Sequence, residues 1–279
     1  MTMAKVFYRH GIPRVLPSAW LIQPEVASDD PPVVAIHGYN REVEAMVDLL
    51  TKRADATGRS IVLPLFDSAS WRRFQRAACP QRSDWALLEL LRVLAEEGWI
   101  NDGVPDLSGF SGGAQFAHRF AWLYPERVAR LCLVSPGWWT FPDTRGVYPL
   151  AMALGNARKR THAYRLRANL SRFLDRQITV MVGALDTAQD INLRQDPDVV
   201  AQQGQNRVAR ARNWTAAALK AARHAGLYPR ITFRLMDNSG HSFADCVANG
   251  SLDRAFIPRA LKQTKPRAMQ TQDQLVEVA

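Results

Sequence analysis

Cysteine is scarce and scattered: the 279-residue chain has three, Cys79, Cys132 and Cys246. They are an odd set, far apart, with no C-x-x-C pair. That pattern argues against a disulfide framework or a zinc site and makes a reducing cytoplasm the expected compartment. Long apolar runs are absent too, since none reaches the roughly 18–20 residues of a membrane span. The first nine residues show no apolar core followed by a small-residue cleavage site, so no secretory signal is read there. Repeats are lacking. Acidic residues are outnumbered 26 to 36 by Lys and Arg, giving a net charge of +10. Most of the basic residues are arginine, and no RRM, zinc-finger or basic-zipper pattern accompanies them. Neither nucleic acid nor a membrane is therefore expected as a partner.

What is present is ordinary for a globular enzyme, with 47% hydrophobic and 22% charged residues. The length suits one sizeable domain. Short apolar runs at 5–9, 20–23, 32–36, 60–65, 106–108, 130–134, 178–182 and 231–236 predict strands. Amphipathic stretches near 43–56, 84–97, 113–122 and 206–224 predict helices between them. The alternation implies an α/β protein with a mostly parallel sheet flanked by helices. Residues 142–177 have no strand pattern and are expected to form a small helical cap inserted into a single domain spanning 1–261. The polar stretch 262–279 is expected to be a flexible tail. Pro105 fits only as the residue that opens a strand, because it has no ladder donor.

Gly109-Phe110-Ser111-Gly112-Gly113 matches G-x-S-x-G between a predicted strand and a predicted helix. A serine on so sharp a turn has a strained backbone, and side chains at the flanking glycines would collide. The helix start behind it favours developing negative charge. Read structurally, the same turn would be a glycine-rich corner with Ser111 as helix cap.

A serine hydroxyl needs a base. His241 lies in a small-residue loop straight after the strand ending at Met236, at the sheet edge where α/β sites gather. His118 is two turns along the helix that follows Ser111, His224 ends a helix, His162 belongs to the cap, and His10 precedes any sheet-edge loop. The base needs a carboxylate to orient it. Asp186, directly after the strand 178–182, is the first choice, with Asp190 and Asp237 as rivals. An oxyanion requires donors. The N–H of Gly112 is one. The other is expected from His37-Gly38-Tyr39-Asn40, with Tyr39 first and Asn40 behind it, and with His37 bracing the loop.

These blocks, together with Gly183-Ala184-Leu185-Asp186 and Ser239-Gly240-His241-Ser242-Phe243, resemble the α/β-hydrolase superfamily over most of the chain. The run from Ser111 to Phe120 is similar to esterases and polyhydroxybutyrate-depolymerase-like members. The resemblance implies a serine hydrolase acting on a small-molecule ester through an acyl-serine, with Ser111, Asp186 and His241 as triad and no metal or organic cofactor. The triad alone leaves lactone, thioester and amide substrates open, and also a non-catalytic ligand-binding member of the fold. Asp106 departs from the pattern, standing where such members are usually apolar. Asn40, Phe110, Trp138 and Trp139 are expected to line the substrate pocket, with Trp71 and Phe74 as further candidates, unless the aromatics pack the cap onto the body. The cap is rich in arginine and is expected to overhang Ser111.

Overall fold

The computed structural model describes residues 3–78 and 80–260, so Cys79 and the predicted tail 262–279 lie outside the described residues. Among the described residues eight strands form one sheet in the order β1-β2-β4-β3-β5-β6-β7-β8. They are β1 (Lys5–Arg9), β2 (Ser18–Gln23), β3 (Val33–Ile36), β4 (Ile61–Leu65), β5 (Asp106–Phe110), β6 (Arg130–Val134), β7 (Gln177–Gly183) and β8 (Ile231–Met236). Only β2 runs against the others, pairing antiparallel with β1 and β4. The parallel pairing from β4 through β8 is the layout expected when helices carry each crossover.

Side-chain alternation decides which face each helix covers. Val34 and Ile36 of β3, Leu131 and Leu133 of β6, and Ile178, Val180 and Val182 of β7 point into one core. That core is closed by α2 (Ser83–Glu96), α3 (Gly112–Leu123), α4 (Ala157–Leu174) and α6 (Arg207–His224). The neighbouring residues Val33, Ala35, Cys132, Val134 and Met181 point the other way, onto α1 (Val43–Thr57), α7 (Phe243–Gly250) and α8 (Leu252–Phe256). A further short helix, α5 (Pro197–Gln203), stands between β7 and α6. Every residue of α3 is buried, because the helix lies between the sheet and an outer layer.

The register aligns the carboxyl ends of the central strands. Ile36 pairs with Gly109, Phe110 with Val134, and Gly183 with Met236. The turns carrying Gly38, Ser111, Asp186 and His241 thus leave the sheet along one edge, the place where open α/β sheets build their sites.

Two expectations change here. Residues 142–177 do not form a cap over Ser111. Their helix α4 is the β6–β7 crossover and lies along the far half of α3. Phe173 stacks on Trp122 with ring centroids 4.9 Å apart. The Trp122 indole N–H donates to Leu166 O, and the Asn169 amide donates to Trp122 O and Leu123 O. The physical reason is burial: Ala163, Leu166, Phe173 and Leu174 make an apolar stripe that needs the body's core, not open solvent. The strand before Ser111 is also longer than expected, reaching Phe110. Asp106 opens it at the opposite edge from Ser111, where Arg59 Nη1 donates to it at 2.5 Å and Arg130 Nε at 2.9 Å. A buried carboxylate is tolerated because two guanidiniums pair it.

Candidate active site

Ser111 sits at φ 52° and ψ −113°, outside the regions open to ordinary residues. Two glycines make the turn possible. A Cβ on Gly109 would stand 2.3 Å from Gly113 O, and one on Gly113 would stand 2.2 Å from Ile36 O. Both are backbone atoms and cannot yield. The Ser111 N–H donates to Val134 O at 2.8 Å, while Ser111 O accepts the first bond of α3 from Gln115 N–H at 3.1 Å. These bonds hold the strained residue from both sides, and the side chain projects from the sheet edge.

His241 Nε2 is 3.0 Å from Ser111 Oγ, and its Nδ1 is 2.8 Å from Asp186 Oδ2. An Asp186 carboxylate can only accept, so Nδ1 carries the ring proton and Nε2 accepts from the Ser111 hydroxyl. The imidazole side chain is 26% exposed while that of Asp186 is 1% exposed. Phe110 stacks against the imidazole at 5.2 Å and Phe243 meets Phe110 edge-on. Ser242 caps α7 by accepting from Asp245 N–H, which fixes the chain immediately after His241. On the other strand end, a Cβ on Gly183 would lie 2.3 Å from Ser239 O, so only glycine lets the Asp186 and His241 loops pack together. The Leu185 N–H donates to that same Ser239 oxygen.

The oxyanion candidates also converge. A Cβ on Gly112 would lie 3.0 Å from Tyr39 N, so the two backbone segments face each other closely. Gly112 is the first residue of α3, and its N–H has no acceptor within the helix. Two side chains hold the Tyr39 loop. His37 Nδ1–H donates to Gly38 O at 2.7 Å and its Nε2 accepts from Phe66 N–H at 3.0 Å. Burial pushes this imidazole down to about 4, so it stays neutral and braces the loop. Arg41, at φ 64°, donates to Tyr39 O, Phe66 O and Trp71 O. Its role carried no sequence signal beyond its place after the loop.

Ser111 opens onto a cleft of about 230 Å³ lined by Gly38–Met46 residues on one wall and His241–Ala244 residues on the other, with Phe110 at its base. Asn40 and Tyr39 line it, as expected; Tyr39 is 40% exposed. Asn192, from the excursion after β7, also lines it and carries no sequence signal. Trp138 and Trp139 do not line this cleft. Trp139 is fully buried and stacks on Trp214 at 4.4 Å, and Trp138 packs under the Arg119 guanidinium at 4.1 Å. Aromatic area after β6 is consumed by α3 and α6. Trp71 and Phe74 are likewise core residues packed around Phe66. Two arginines of 142–177 face elsewhere: Arg165 donates to Leu123 O and Arg167 to Met152 O.

Of the rival acids, Asp237 is exposed. Asp190 is engaged by Arg207, whose hydrogen bond holds its carboxyl below the usual range. Cys246 lies near the site, its Sγ 3.8 Å from Gly240 O, but burial pushes its thiol up to about 12. Among the described residues no three His, Cys, Asp or Glu side chains converge as a metal site would require. No described helix is long and apolar enough to cross a membrane.

Sheet order, the single antiparallel strand and the strained serine turn define the α/β-hydrolase fold. Solved structures agree. A poly(aspartic acid) hydrolase from Sphingomonas sp. superposes with a TM-score of 0.72 at 21% identity, covering 89% of this chain and 97% of its own. A poly(3-hydroxybutyrate) depolymerase from Bordetella parapertussis gives 0.73 at 23% identity, covering 93% and 92%. An S-formylglutathione hydrolase from Agrobacterium tumefaciens gives 0.58 at 16%, covering 93% and 99%. No family model matches the sequence, and no curated protein does.

Proposed function

We propose that the protein is a serine hydrolase that cleaves a small carboxylic ester through an acyl-serine. The observation that carries this reading is the continuous relay Ser111 Oγ–His241 Nε2 and His241 Nδ1–Asp186 Oδ2, at 3.0 and 2.8 Å, built on a strained turn. A fold seldom stores strain at a polar residue without use. In the reading, Ser111 Oγ attacks the ester carbonyl as its proton passes to His241 Nε2. The tetrahedral oxyanion takes hydrogen bonds from the N–H groups of Tyr39 and Gly112. Collapse expels the alcohol, which takes the proton from His241. Water, deprotonated by the same imidazole, then attacks the acyl-serine and releases the carboxylate. Asp186 orients the ring and stabilises the imidazolium.

The cleft supports a small substrate, since drug-sized ligands usually occupy about 300–1,000 Å³. Neighbours of the same fold are named for polymers, an S-formylglutathione and a ferulic acid ester, so the fold alone leaves the leaving group open. The test is turnover of p-nitrophenyl acetate and butyrate beside matched lactones, thioesters and anilides. Ser111→Ala should abolish ester turnover without changing the unfolding midpoint, and a fluorophosphonate should label the wild type at Ser111. Labelling at another serine, or an active Ser111→Ala protein, would overturn the assignment.

A further inference from the structure

Behind His241 lies a group that the relay itself does not require. Arg207, the first residue of α6, is 1% exposed, and Asn206 caps the helix before it. Its Nη1 donates to Asp186 Oδ1 at 3.3 Å and to Asp190 Oδ2 at 2.5 Å, while Nη2 donates to Asp190 Oδ1 at 3.2 Å. Nε is buried without an acceptor. A guanidinium removed from water is costly, and an apolar side chain would serve a purely structural tie as well or better. Asp190 feels both Arg207 and His241, so the four groups share one field.

We propose that Arg207 is a positioning residue for the relay: it occupies the second oxygen of Asp186, leaving Oδ2 for His241, and cancels one of the two carboxylate charges behind the imidazole. The inference rests on the serine-hydrolase reading. Holding Oδ1 fixes the carboxylate plane, because rotation of Asp186 would break the contact to Arg207 as well as that to His241. The charge matters as much as the geometry. With Arg207 the two carboxylates and the guanidinium sum to one negative charge facing the ring. Without it the ring would face two, and a proton would be held on Nε2 over a wider pH range, where His241 cannot act as a base. Other titratable groups surround the ring. Asp245 and Cys246 belong to α7, and Tyr39, Arg41 and Glu42 line the opposite wall of the cleft. None of them changes in the variants below.

The decisive experiment is the acid limb of kcat/KM against pH for p-nitrophenyl butyrate. Arg207→Met should move the limb up by about one pH unit. It should lower kcat by about tenfold while KM changes by less than about threefold. Asp190→Asn should move the limb the other way, because Arg207 then serves Asp186 alone. The double variant restores the wild-type charge sum, so its limb should return close to the wild-type position. Arg207→Lys should keep the limb and lose part of kcat, having the charge without the fork. A structural tie would give lower activity with no opposed shifts. Limbs that coincide in all variants, or move in one direction only, would overturn the proposal. Should Arg207→Met fail to fold, Asp190→Asn still carries the sign, since that side chain is 35% exposed. Titration of the His241 imidazole by NMR in the same set should give the same order without turnover, so loss of ester hydrolysis would count against the functional reading alone.

Discussion

At position 186 an asparagine would keep the size of the side chain and lose the charge that selects the ring tautomer. Its amide could donate to His241 Nδ1, leaving Nε2 protonated and unable to accept from Ser111. Asp186→Asn should therefore lower kcat for an ester by about 10³–10⁴. Asp237→Asn, at an exposed position, should change it by less than about threefold. A larger loss at 237 than at 186 would mean that the acid is misassigned. Residues of this kind were legible because their neighbours are unusual: glycines flank Ser111 and precede Asp186 and His241, and close backbone approach demands those at 109, 113 and 183. Arg207 left no such trace. In a chain with 36 basic residues, one more arginine at a helix start carries no signal. Trp138 and Trp139 show the opposite fault, since an aromatic pair at a strand end reads the same whether it lines a pocket or, as here, fills a core.

Strands were readable because each is a short apolar run between turn residues, and seven of the eight end within one residue of their expected limits on the carboxyl side. β5 is the exception, because its last two residues are the glycine and phenylalanine of the motif and carry no alternation. The reading failed at α4, where a helix was expected but its partner was not. Arginines at 160, 165, 167 and 172 mask the apolar stripe of Leu166, Leu170, Phe173 and Leu174, and a polar crossover helix then resembles an insertion. Placement along α3 has a measurable consequence. Phe173→Ala removes a buried ring stacked on Trp122 and should cost about 3–5 kcal/mol of unfolding free energy. kcat/KM for a small ester should change by less than about twofold, because among the described residues none of 142–177 lines the Ser111 cleft. A large kinetic effect in the folded variant would return this segment to the site.

For the whole molecule, two buried neutral histidines govern behaviour in mild acid. His37 and His118 share one arrangement, with Nδ1–H donating to a backbone oxygen and Nε2 accepting from a backbone N–H: Gly38 O and Phe66 N–H for one, Ala114 O and Thr140 N–H for the other. Protonation would turn each accepting nitrogen into a second donor aimed at a donor. Burial is the first cause that lowers both, His37 to about 4 and His118 well below the ordinary imidazole range. In the unfolded chain the value returns to about 6.5. The unfolded state therefore binds more protons below that pH, and unfolding is favoured as the solution is acidified. Stability should be constant above about pH 7 and fall from about 6.5 downwards, by up to about 1.4 kcal/mol per pH unit for each histidine. For His37 the loss levels off near pH 4, after about 3 kcal/mol in all. The window from about pH 6.5 to 5 reports on buried imidazoles, because carboxylates in the unfolded chain titrate lower, near 4; His162, which burial also lowers, adds to the same slope. Urea unfolding at pH 7.5, 6.0 and 5.0 measures the slope. His118→Gln removes one titrating group while keeping a donor and an acceptor, so this variant, though less stable at pH 7.5, should lose distinctly less stability between 7.5 and 5.0 than the wild type. Equal losses in the two proteins would show that the buried histidines do not set the acid limit of the fold.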